Sequence, residues 1–211
     1  MSLIVPENAN APSDTGGQKA IHPLIVRITH WINAAAMITM ITSGWQIYNA
    51  SPILPFRFPD ALTLGGWLGG AIQWHFAAMW VLMLNGLIYL AHGLLSRRFY
   101  RKLWPISPRA LLADLSDALK GRLTHADLST YNAVQKLLYG GVIVAGIVAV
   151  LSGLAIWKPV QLQSLTALFG DFDNARIVHF VAMSAITAFL LIHVAMALIV
   201  PASLLAMIRG R

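Results

Sequence analysis

Four long apolar stretches divide the chain, separated by polar segments rich in proline and glycine. The stretches run Leu24–Tyr48, Ala71–Leu95, Leu137–Trp157 and Ile177–Val200. At about 1.5 Å per residue, each can cross the ~30 Å of bilayer hydrocarbon as a helix. The pattern therefore predicts an all-α membrane protein built as a four-transmembrane-helix bundle. Trp45 and Tyr48 close the first stretch as interfacial aromatics. The segment Asn49–Gly70 holds Pro52, Pro55 and Pro59, then Gly65, Gly66, Gly69 and Gly70, which predicts an irregular external connector. Pro108–Lys120 has a different pattern, with an initial proline, leucines at helical spacing and Gly121 behind it. It predicts a short amphipathic helix on the membrane surface, in the loop between spans two and three.

Residues 1–20 are polar and lack an apolar run, so they read as a flexible tail and not as a cleaved signal peptide. Residues 21–211 then form one membrane domain. Composition agrees: 57% of the chain is hydrophobic and 11% charged, against about a quarter charged in soluble domains.

Charge adds an orientation. The net charge is +7, and of fifteen Lys and Arg residues only Arg57, Lys158 and Arg176 fall on the side of the 49–70 connector. The positive-inside rule then places both termini and the long middle loop in the cytoplasm of a bacterial inner membrane. Topology and contact with anionic lipid account for these charges without nucleic acid.

The chain has no cysteine. That excludes disulfides, thiolate-bound iron–sulfur clusters and covalent c-type haem. A redox cofactor would have to be held by histidine. His179 and His193 lie fourteen residues apart in the last span, so they leave nearly one helix face about 21 Å apart along the axis. His30 lies near the cytoplasmic start of span one and is level with His193. His75 lies near the external start of span two and is level with His179. Matching depth pairs His30 with His193 and His75 with His179. Two imidazoles fill both axial positions of a haem iron and leave a centre suited to electron transfer. The expectation is two haem b groups, one toward each membrane surface. His92 is seventeen residues beyond His75, about 25 Å away and rotated roughly 100°. It fits neither level, and it reads either as a residue at a cytoplasmic quinone site or as a polar side chain reaching the interface.

Arg27 and Arg176 each precede a proposed ligand by three residues, on a shared helix face. Each could pair with a haem propionate or simply sit at the interface. Gly44 lies fourteen residues after His30 and leaves space for a second macrocycle or for close helix packing. Ser43-Gly44-Trp45 is echoed by Ser152-Gly153 and Trp157, too little to count as a repeat.

Several motifs together resemble a known family. They are Arg27-Ile28-Thr29-His30-Trp31, Ser43-Gly44, Tyr131-Asn132-Ala133-Val134-Gln135-Lys136, and Gly153 through Trp157-Lys158-Pro159, with His179 and His193 at their spacing. The chain resembles the di-haem membrane cytochrome b subunits of the cytochrome b561, nickel–iron hydrogenase and formate dehydrogenase gamma type, over about Ile21 to Arg209. The resemblance implies the same histidine pairing. It also implies a menaquinone or ubiquinone site at Asn132 and Gln135, whose amides can donate to a quinone carbonyl; the two residues could instead cap span three. It departs at Ile72, where the family often has arginine three residues before the second-span histidine.

The function expected is electron transfer between the membrane quinone pool and a periplasmic redox enzyme, such as a molybdenum oxidoreductase or a hydrogenase. An alternative is a stand-alone superoxide:quinone oxidoreductase of the b561 type, though such chains are shorter and lack the Tyr131–Lys136 motif. A haem-free anchor or transporter is a third reading, which a reduced-minus-oxidised spectrum decides.

Overall fold

A computed structural model describes residues 23–97, 107–120 and 132–210. The tail expected at 1–20 lies outside the described residues. Seven α-helices are described: α1 (Leu24–Ala50), α2 (Leu68–Leu95), α3 (Pro108–Leu119), α4 (Ala133–Trp157), α5 (Gln163–Leu168), α6 (Phe172–Ile199) and α7 (Pro201–Arg209). No strand occurs among the described residues. α1, α2, α4 and α6 are each long and apolar enough to cross a membrane.

The apolar pattern trims polar first turns that capping makes helical. α4 starts at Ala133, before the predicted Leu137, because Asn132 Oδ1 accepts from Gln135 N at 2.7 Å while Gln135 Oε1 accepts from Asn132 N at 3.1 Å. Asp114 of α3 completes the cap, its Oδ2 accepting from Ala133 N at 2.6 Å. This ties the surface helix to the start of α4 and sets a carboxylate at the positive end of its dipole. α6 likewise starts at Phe172, with Asp171 Oδ1 accepting from Asn174 N at 2.7 Å.

The 51–67 connector contains one 3-10 turn, Asp60–Leu62, and is folded back on α1. Asn49 Nδ2 donates to Phe58 O and Phe58 N donates to Asn49 Oδ1, both at 2.8 Å. Phe58 also stacks on Trp45 at 4.7 Å. Gly65 has φ +112°, and a side chain there would run into the backbone of Ala71.

The last span ends at Val200 because Pro201 cannot continue it. Pro201 instead opens α7, which stops at Gly210 with φ +86°. Arg27 Nε donates to Met207 O at 3.2 Å, and Arg27 Nη2 donates to Ile208 O. The start of α1 and the end of α7 therefore share one end of the bundle, called here the near end. The 51–67 and 158–171 connectors form the far end.

Packing is concentrated inside two hairpins, α1 with α2 and α4 with α6, and no comparable packing joins one hairpin to the other. The two hairpins correspond. Along the first helices an offset of 109 residues relates Ser43-Gly44 to Ser152-Gly153 and Tyr48 to Trp157. Along the second helices an offset of 104 residues relates Ala71, His75, Phe76, Ala78 and Met79 to Ala175, His179, Phe180, Ala182 and Met183. The contacts repeat with the residues. Tyr48 meets Phe180 across the hairpins at 5.0 Å, and its counterpart Trp157 meets Phe76 at 5.2 Å. Ala71 and Ala175 are both completely buried. The short echo seen in the sequence thus extends to matching contacts in the two hairpins.

Candidate functional site

His75 and His179 are each the eighth residue of their helix. Their rings face each other across the gap between hairpins, centroids 6.4 Å apart and planes at 67°. Each ring is held by the first helix of its own hairpin. Ser43 Oγ lies 3.1 Å from His75 Nδ1, and Ser152 Oγ lies 3.2 Å from His179 Nδ1. The serine hydroxyls donate to backbone carbonyls one turn back, Ser43 to Thr39 O at 2.6 Å and Ser152 to Val148 O at 2.7 Å. A serine whose proton is used must accept from the histidine. Nδ1 is then the protonated nitrogen of each ring, and the Nε2 lone pair is left as the ligand. His179 Nδ1 also donates to Ala149 O at 2.9 Å.

Gly44 and Gly153 make room for these rings. A Cβ at Gly44 would lie 3.5 Å from His75 Cε1, and one at Gly153 would lie 3.2 Å from His179 Cε1. Gly44, read from sequence as room for a macrocycle or for close helix packing, lies against the imidazole of the neighbouring helix.

His30 and His193 form the near-end pair. His30 is the seventh residue of α1, and His193 is the seventh from the end of α6. Their centroids are 5.9 Å apart, with planes at 62°. Phe189 stacks on His193 at 5.6 Å, and Tyr139 meets it edge-on at 6.5 Å. His30 packs against Trp31 at 5.3 Å.

Two imidazoles bound on opposite sides of one metal, each at about 2.0–2.1 Å, would place their ring centroids a little over 6 Å apart. The far separation of 6.4 Å matches that span and the near one of 5.9 Å is slightly shorter. Among the described residues no group of three or more His, Cys, Asp or Glu could hold a bare ion. A lone pair of facing imidazoles would suit a metal that brings its remaining donors with it, as haem iron would. Ser43 and Ser152 are the largest side chains completely buried among the described residues, whereas a filled bundle core would bury leucines and phenylalanines there.

The sequence profile of the prokaryotic cytochrome b561 family matches residues 21–210. The chain belongs to that family. It is also similar to a protein of Azospira oryzae provisionally named as the protein-methionine-sulfoxide reductase subunit YedZ1. The two are 56% identical over 191 residues, covering 90% of this chain and 96% of the relative. Cytochrome b561 membership makes this a multi-pass membrane electron-transfer subunit of a haem b type.

Within the cytochrome b561 bundle the other predicted residues have definite partners. Arg27, expected near a propionate, is engaged with the last carbonyls of α7. Arg176 Nη2 donates to Ser51 O at 2.7 Å and to Ser51 Oγ at 3.2 Å, with Asp173 3.6 Å away, so it ties α6 to the end of α1. Asn132 and Gln135 use their side-chain oxygens in the cap of α4, which leaves their NH2 groups as donors. His92 lies in the last turn of α2, and its ring joins neither histidine pair. Ser43 and Ser152 were missed as site residues. Their signal was the repeated Ser-Gly itself, placed opposite a histidine of the next span.

Proposed function

We propose that this protein carries two haem b groups, held by His75 with His179 at the far end and by His30 with His193 at the near end. Through them it passes electrons between a membrane quinone and a redox enzyme outside the membrane. The observation that carries this reading is the pair of facing imidazoles, with centroids 6.4 and 5.9 Å apart, on four histidines drawn from both hairpins. When bound, each haem supplies a one-electron centre with no open coordination position. The residues contribute the rest. Each hairpin gives one ligand to each site, and α6 carries one ligand for both, about 21 Å apart along its axis. Serine and backbone carbonyls fix the far rings, while aromatic rings pack the near ones.

The proposed orientation follows charge. Arg27, Arg97, Arg109, Lys120, Lys136 and Arg209 all lie at the near end, so the near end and both termini face the cytoplasm of the bacterial inner membrane and the far end faces the periplasm. The relative's name points to a partner of the protein-methionine-sulfoxide reductase kind, which this orientation would place in the periplasm. With a reductase as partner, quinol oxidised at the near end would supply electrons that leave at the far end. Menaquinone or ubiquinone would meet the NH2 groups of Asn132 and Gln135, beside α4 and one turn from Tyr139, which touches His193. Arg27, Arg176 and His92 are not needed for this reading.

Loss of either amide should separate quinone binding from capping. Asn132→Ala also loses the N-cap, worth about 1 kcal/mol, whereas Asn132→Asp keeps the accepting oxygen and removes only the donor. We expect both variants, and Gln135→Glu, to keep their haem spectrum and to slow quinol-driven haem reduction in stopped flow. Unchanged reduction rates in Asn132→Asp and Gln135→Glu would remove these residues from the quinone site.

A further inference from the structure

The two histidine pairs differ in what stands behind them. Each far-end ring is hydrogen-bonded through Nδ1 to a buried serine that is itself anchored on a carbonyl. A backbone carbonyl also accepts from one of the two rings, Ala149 O from His179 Nδ1 at 2.9 Å. Among the described residues the near-end rings have ring contacts instead. A hydrogen bond accepted from the distal nitrogen of a ligating imidazole makes the ring a stronger donor and fixes its plane. A stronger axial donor favours the oxidised iron, and the angle between ring planes sets the anisotropy of a low-spin ferric centre.

We propose that Ser43 and Ser152 are a matched pair of positioning residues that hold the far haem's potential down and keep its two imidazoles crossed. This rests on the two-haem reading above. The two serines are placed alike: 3.1 and 3.2 Å to the imidazole, 2.6 and 2.7 Å to the anchoring carbonyl, and both completely buried. His179 Nδ1 has Ala149 O as a second acceptor at 2.9 Å, whereas Ser43 is the hydrogen-bond partner found for His75. Both serines should therefore act in one direction, Ser43 with the larger effect.

The test uses the full chain loaded with haem, as wild type, Ser43→Ala, Ser152→Ala and the double variant. Each is titrated optically against potential and examined by low-temperature EPR, with His179→Ala identifying the far-haem signals. We expect both single variants to keep two haems and to raise the far midpoint, Ser43→Ala by more than Ser152→Ala because His179 keeps Ala149 O. In the double variant the shift should be about the sum of the two, and the far haem's largest g value should fall as the rings lose their fixed angle. The near haem should keep its midpoint and g values. A far midpoint and g value unmoved in the double variant would overturn the proposal, as would equal movement of both haems. Loss of the far haem from both single variants would also overturn it, leaving the serines as packing alone. A wild-type chain with only one titrating haem would instead defeat the two-haem reading, before any serine variant is measured.

Discussion

Replacing His193 with alanine should remove the near haem and leave the far one, and replacing His179 should do the reverse. Each variant is expected to retain about half of the reduced-minus-oxidised b-type absorbance, since a haem iron with one axial ligand lost is no longer held as a bis-imidazole centre. The partners extend the test: His30→Ala should match His193→Ala, and His75→Ala should match His179→Ala, in haem content and in the EPR signal that disappears. The equivalence is demanding, because each matched pair lies on two different hairpins. If His30→Ala and His75→Ala gave the same residual spectrum, the pairing by depth would be wrong even with two haems present.

Haem should also hold the bundle together. The hairpins pack well internally but meet through few contacts: the imidazole pairs, the Tyr48–Phe180 and Trp157–Phe76 rings, Arg176 with Ser51, and Arg27 with α7. Few large side chains are buried among the described residues, chiefly Ile41, Tyr48 and Ile186. A ligand present at 1,000 times its dissociation constant stabilises the state that binds it by about 4 kcal/mol, and the two proposed haems would share this interface. Chain made under haem limitation is therefore expected to be cut readily in the loop joining the hairpins and to unfold tens of degrees below the loaded form. His75→Ala/His193→Ala, which lacks one ligand at each site, should behave like the haem-poor chain. Equal protease resistance of loaded and haem-poor chain would show that the helices hold the bundle unaided.

The spans and the histidine levels were legible because both follow from two fixed quantities, the helical rise and the bilayer thickness. The pairing of His30 with His193 and of His75 with His179 needed nothing more. The capped first turns of α4 and α6 were not legible from hydropathy, which discards Gln135, Lys136, Asp173 and Arg176 as polar. α7 was lost for the opposite reason: Pro201 reads as a stop, and only as the first residue of a new helix does it become a start. Arg27 follows from that, because its partners exist only once α7 turns back to α1.

The correspondence between hairpins is masked in the sequence by an offset that changes from 109 to 104 residues between the first and second helices. The matching positions gather around the far histidines: Ser43 and Gly44 lie against His75, and Ser152 and Gly153 against His179. The near-end ligands break the repeat, since the position equivalent to His30 is Tyr139 and the one equivalent to His193 is Tyr89. The far site is thus symmetric and the near site is not, as befits one end that would hand electrons to a protein and another that would take them from a small quinone.

The central claim is that four histidines hold two haems in one chain, and haem stoichiometry measures it most directly. Pyridine haemochrome absorbance set against protein determined by amino-acid analysis, on the purified full-length chain, is predicted to give two b haems per chain, both low-spin bis-imidazole by EPR. One haem per chain, or a high-spin ferric signal for either haem, would contradict the account.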